Sequence, residues 1–71
     1  MSDMLKVVEV LAESTTSWDD AAQSAVKRAA ETLKDIKSIY IKDLEAVVSG
    51  NRITKYRINA KISFLLEKKK H

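Results

Sequence analysis

From Arg52 to Leu66 the chain reads RITKYRINAKISFLL. Tyr56, Ile58, Ala60, Ile62, Phe64 and Leu66 are apolar or aromatic, and Lys55, Arg57, Asn59, Lys61 and Ser63 between them are polar. Alternation with period two over this length predicts a half-buried strand. Its apolar face needs a core, and its basic stripe needs an explanation. Residues 4–12, MLKVVEVLA, show a different pattern, with Leu5, Val7 and Leu11 at one parity and Val8, Val10 and Ala12 at the other. Such a strand is expected to be covered on both sides, with its outer face meeting another subunit.

Between these strands lies the helical signal ESTTSWDDAAQSAVKRAAETLKD. Trp18, Ala21, Ala22, Ala25, Val26, Ala29, Ala30 and Leu33 form a stripe at helical spacing. Ser17 followed by Asp20 resembles a capping box with a shortened acid, and Asp19 and Asp20 suit the positive end of the helix dipole. Because the stripe is mostly alanine, the helix is expected to lie close to a curved sheet. Trp18 is read as the anchor of the first turn in preference to a stacking residue.

Residues 36–48, IKSIYIKDLEAVV, are β-branched and aromatic, and SGN at 49–51 holds the sole glycine. A two-residue Gly50–Asn51 loop would pair Val47 with Thr54, Glu45 with Tyr56, Ile41 with Ala60 and Ile39 with Ile62. Ser38, Tyr40, Lys42, Leu44, Ala46 and Val48 would then share the outward face with Arg57 and Lys61. The order strand, helix, strand, strand predicts an α+β fold. Strands one and two run parallel through a right-handed crossover, the third enters antiparallel between them in the order 1-3-2, and the sheet wraps around one helix.

Seventy-one residues allow one core, assigned here to residues 1–67, with a charged and disordered tail at 68–71. A chain this short is marginal alone, and with no cysteine it has no disulfides, so oligomerisation is the leading source of stability. The charge of +3 comes from Lys68, Lys69 and Lys70. Ten basic and ten acidic residues balance in the remainder, which argues against a nucleic-acid partner. His71 is assigned no chemistry. There is no membrane-span pattern and no secretory signal, so the expectation is a cytoplasmic protein without membrane or nucleic-acid partners.

Catalytic chemistry finds little support. The single histidine is the last residue, one glycine cannot build a phosphate loop, and Ser14, Thr15, Thr16 and Ser17 suit a turn and cap. The expected class is therefore non-enzymatic. Carboxylates at Asp3, Glu9, Glu13, Asp19, Asp20, Asp43 and Glu45 could contribute to a cation site if symmetry gathers several copies, although single acids are better read as caps and ion-pair partners. Arg57 has two readings, an anion or polar-ring contact through its planar fork and an intersubunit ion pair.

Taken together, KVVEVLAESTTSWDDAAQSAVKRAAETLKDI, a long strand and the closing KYRINAKISFLLE resemble the dodecin family over residues 4–67. The most specific parts are the strand leading into TSWDDAA, the alanine-rich RAAETL and the final alternation after Tyr56. The resemblance implies twelve copies in a hollow shell that sequesters flavin, such as FMN or riboflavin, or a related small molecule in symmetry-related pockets. It also implies a tryptophan stacking on the flavin where this chain has Ser38, and a glutamine on the flavin's polar edge where it has Arg57. With both replaced, the altered ligand-binding set is Ser38, Arg57 and Tyr40, the last as the substitute ring. Some dodecin-like proteins without the stacking tryptophan bind calcium, and Ile53-Thr54-Lys55-Tyr56-Arg57-Ile58 is similar to that branch. A calcium-binding shell that no longer takes flavin is the alternative function, with its metal ligands unassigned.

Overall fold

The computed structural model describes residues 3–66. In chain order it contains β1 (Leu5–Ser14), α1 (Trp18–Ala29), β2 (Ile36–Ser49) and β3 (Arg52–Leu65). Both β1 and β2 pair antiparallel with β3, giving the expected order β1-β3-β2. No helix among the described residues is long and apolar enough to cross a membrane. The boundary of the expected domain at residue 67 and the tail at 68–71 lie outside the described residues.

The helix begins where the sequence places it, with one difference in the cap. Ser17 is extended, and its Oγ accepts the N–H of Asp20 at 2.9 Å, satisfying a donor that the first turn leaves free. Asp20 does not return the bond to Ser17. Its carboxylate accepts the Ser14 hydroxyl at 2.6 Å, and Ser14 Oγ accepts the Thr16 N–H at 2.9 Å. The short aspartate thus fastens the end of β1 to the helix start. At the other end α1 stops one turn before Leu33. The Ala29 carbonyl accepts the N–H of both Thr32 and Leu33, and Asp35, in the left-handed region at φ 57°, turns the chain into β2.

Against the helix lie the even positions of β3. Ile58 pairs with Ala12 and Leu44, Ala60 with Val10 and Ile41, and Ile62 with Val8 and Ile39. Ala21, Ile58, Ala60 and Ile62 are the buried hydrophobic residues among those described, and Val10, Ala12, Trp18, Ala22 and Ile39 pack around the cluster that Ala21 forms with Ile58 and Ala60. The alanines allow this approach, because a longer side chain at position 21 or 60 would push the helix off the sheet.

Gly50 and Asn51 form the β2–β3 loop, with φ of 59° and 64° and Ser49 opposite Arg52. Two consecutive positive φ values are those of the type I′ turn, whose twist matches that of the strands it joins. The register beyond the loop is not uniform. It slips between Val47 and Val48, where Thr54 is the extra residue on β3, and slips back between Ile41 and Asp43, where Lys42 is the extra residue on β2. A third irregularity lies between Ile36 and Ser38. The pairs Ile41–Ala60 and Ile39–Ile62 are as expected. Between the first two bulges, however, Glu45 lies opposite Arg57 and not Tyr56, and Val47 lies opposite Lys55 and not Thr54. Leu44 and Ala46 accordingly move to the face of Ile58 and Tyr56, and Asp43 and Glu45 replace them on the outer face. Bulges insert one residue and reverse the alternation until a second insertion restores it.

Candidate functional site

The sheet face turned away from α1 is organised in cross-strand rows. From one end they are Leu5 and Leu65; Val7, Ser63 and Ser38; Glu9, Lys61 and Tyr40; Leu11, Asn59 and Asp43; and Glu13, Arg57 and Glu45. This face combines a large apolar surface with charge. Leu5, Val7 and Leu11 are 50%, 52% and 65% exposed, so the second apolar parity of β1 finds no cover within its own chain. Patches of this kind mark interaction surfaces.

Arg57 is the best-connected side chain on it. Its Nε and Nη2 donate to Glu13 Oε2 at 2.8 and 2.5 Å, and Nη1 donates to Glu45 Oε1 at 3.4 Å. Lys55 Nζ lies 3.6 Å from Glu13 Oε1. The fork spans three strands, because β3 is central and both neighbours place a glutamate opposite position 57. An ion-pair network is thus made within the chain, joining Arg57 to both neighbouring strands. The hydrogen bond from Arg57, aided by the charges of Lys55 and Arg57, lowers the Glu13 carboxyl pKa despite some desolvation. The same hydrogen bond to Glu13 raises that of Arg57, reinforced by the charges of Glu13 and Glu45.

Trp18 anchors the helix at this end of the sheet. Its Nε1–H donates to the Glu45 carbonyl at 2.9 Å, and its ring meets Tyr56 edge to face with centroids 5.0 Å apart. The indole is thus occupied in holding α1 to β2 and β3, as its reading as an anchor requires.

Ser38 and Tyr40 lie together near the start of β2. The hydroxyls of Ser38 and Ser63 hydrogen-bond to each other across the strands, and Tyr40 is 64% exposed on the same face. Arg57 is not part of this group. Six residues of β3 separate it from Ser63, the partner of Ser38, a distance of about 20 Å. A ligand touching Ser38, Tyr40 and Arg57 together must therefore be held by more than one copy.

Sequence reasoning did not place Glu13 or Glu45 beside Arg57, nor Asp43 beside Asn59 on the outer face. For Glu13 the strand order held the signal, since a central β3 brings β1 alongside Arg57. For Glu45 and Asp43 the compensating bulges hid it. Leu11, Asp43, Glu45 and Asn59 of that face, together with Leu44 at the strand edge, line a concavity of about 360 Å³. Among the described residues no group of three or more histidine, cysteine or acidic side chains is gathered for a metal ion. A flavin would find Tyr40 as an accessible ring on this face but no aromatic at Ser38, and Arg57 already engaged.

These features define a thin sheet-and-helix subunit with an uncovered, partly apolar outer face. The dodecin family model matches residues 4–67, and the chain belongs to that family. It is 40% identical over 60 residues to a protein named calcium dodecin from Mycobacterium tuberculosis, covering 83% of each. Among solved structures it is similar to the dodecin of Streptomyces davaonensis, with a TM-score of 0.89, 18% identity, and coverage of 96% of this chain and 100% of that one. It is also similar to the crystal structure of the calcium chelating antigen calcium dodecin of Mycobacterium tuberculosis, described as having a novel calcium-binding site. There the TM-score is 0.79 and the identity 29%, covering 96% of this chain and 97% of that one.

Proposed function

We propose that this chain is a non-enzymatic binding protein that assembles with copies of itself into a dodecin shell and sequesters calcium in pockets between outer sheet faces. The observation that carries the assembly is the uncovered stripe of Leu5, Val7 and Leu11 opposite the core. Calcium is supported by the identity to a protein named for that ion and by the oxygen donors of the outer face, among them Glu9, Asp43, Asn59 and Glu45. A calcium ion takes six to eight oxygen ligands, more than one copy of this face offers at one point, so repetition by symmetry would complete the shell of ligands.

A second reading has its own support. Tyr40 presents an exposed ring beside the Ser38–Ser63 hydroxyl pair, a combination that suits an aromatic ligand such as a flavin in a pocket completed by Arg57 of another copy. Base–aromatic stacking contributes about 1–3 kcal/mol per contact, and tyrosine would supply it where tryptophan is absent. Thermal unfolding with calcium and, separately, fluorescence titration with riboflavin decide between the two. The calcium reading predicts a raised midpoint that a chelator reverses, and riboflavin fluorescence that the protein leaves unquenched. Protein that is yellow as purified, or that quenches riboflavin without responding to calcium, would contradict it.

A further inference from the structure

We propose that Glu13 and Glu45 close the outer face around Arg57 to anions, so that the pocket this face lines admits cationic or neutral ligands and rejects phosphate-bearing ones. The inference rests on the reading of that face as a pocket wall.

In the sequence Arg57 is an open fork suited to phosphate. In the fold it is flanked on both sides. Glu13 on β1 takes two of its N–H groups on a single oxygen, and Glu45 on β2 faces a third. A phosphate could reach the guanidinium only by displacing the Glu13 carboxylate or by sharing the fork with it. Either way it would lie beside Glu45, well within the distance over which salt leaves charges unscreened. The next row adds Asp43, which makes no ion pair among the described residues, and Asn59, which is uncharged. The other cations of the face do not restore an anion site. Lys55 is turned to Glu13 and Lys42 to Glu9. Lys61 is four residues along β3 from Arg57, about 14 Å away.

The arrangement depends on the two compensating bulges. With a uniform register Glu45 would face Tyr56, and Arg57 would keep an open side. The insertions at Lys42 and Thr54 bring a second carboxylate to the guanidinium. Glu13 and Glu45 are thus specificity-determining residues that act through the charge they present and the donors they occupy.

Calorimetric titration of the assembled full chain with inorganic phosphate tests this. The wild type is expected to give no binding heat at Arg57, whereas Glu13→Gln/Glu45→Gln gains phosphate affinity of at least about tenfold, and adding Arg57→Gln removes the gain. Glu45→Gln alone, which gives up only the 3.4 Å contact, provides a second readout if the double variant fails to assemble, with a smaller gain in the same direction. Phosphate binding by the wild type that Arg57→Gln abolishes would overturn the proposal. So would variants that sediment like the wild type yet gain no phosphate affinity. Loss of the calcium response with the phosphate results intact would instead contradict the ligand assigned above and leave the charge selectivity standing.

Discussion

At the scale of single residues, Trp18 and Arg57 hold the same end of the sheet from its two sides. The indole ties α1 to the Glu45 carbonyl from the helix side, and the guanidinium ties Glu13 and Glu45 together across the outer face. Exposed ion pairs usually contribute little, but this one joins an edge strand to the far side of a narrow sheet, and it titrates. The folded Glu13 carboxyl binds its proton less tightly than the unfolded one, because Arg57 hydrogen-bonds its charged form. Its contribution to stability is therefore complete above the usual carboxylate range and disappears as pH falls through the depressed folded-state value. Melting midpoints of the wild type and Glu13→Gln should differ by a constant amount from neutral pH down to that range and converge in stronger acid. A gap of the same size at every pH would show that the carboxylate charge plays no part.

At the scale of elements, the β2–β3 ribbon carries two insertions, one on each strand. Lys42 is extra on one strand and Thr54 on the other, so deleting both leaves every cross-strand pair between them intact. Deleting either alone removes only its own bulge and leaves the same pairs, from Asp43–Asn59 to Val47–Lys55, with Asp43 and Glu45 still on the outer face. The double deletion should fold with near wild-type stability. Each single deletion should likewise stay within the roughly 0.5–3 kcal/mol of an ordinary substitution, as measured by denaturant unfolding, and a larger loss would show that the bulge itself holds the strand pairing. The same segment shows what the sequence could and could not reveal. The period of β3, the Ser17 cap, the Gly50–Asn51 turn and the two apolar faces of β1 were legible because each is set by local chemistry or uninterrupted alternation. The bulges were not, since Leu44, Ala46, Val47 and Val48 place apolar residues at both parities and allow either register. The error passed directly to the candidate site. It hid the neighbours of Arg57, whereas Ser38 and Tyr40, beyond the second bulge, were correctly placed on the outer face.

At the scale of the whole molecule, the subunit is about as thin as a sheet and one helix can be, with extents of 59 × 20 × 13 Å. Among the described residues the buried hydrophobic core consists of two isoleucines and two alanines. Leu5, Val7 and Leu11 lie outside it. Burying apolar surface contributes roughly 25 cal/mol per Å², so covering this stripe with another copy adds stabilisation that the single chain lacks. A pocket that joins Ser38 and Tyr40 to Arg57 would likewise need a second copy, because the length of β3 separates them within one chain. On the function proposed above, assembly is the condition for both stability and a shared pocket. Sedimentation of the protein at low concentration tests this most directly. The account predicts a closed particle of about twelve times the 8.0 kDa chain mass. A stably folded particle of 8.0 kDa would contradict it.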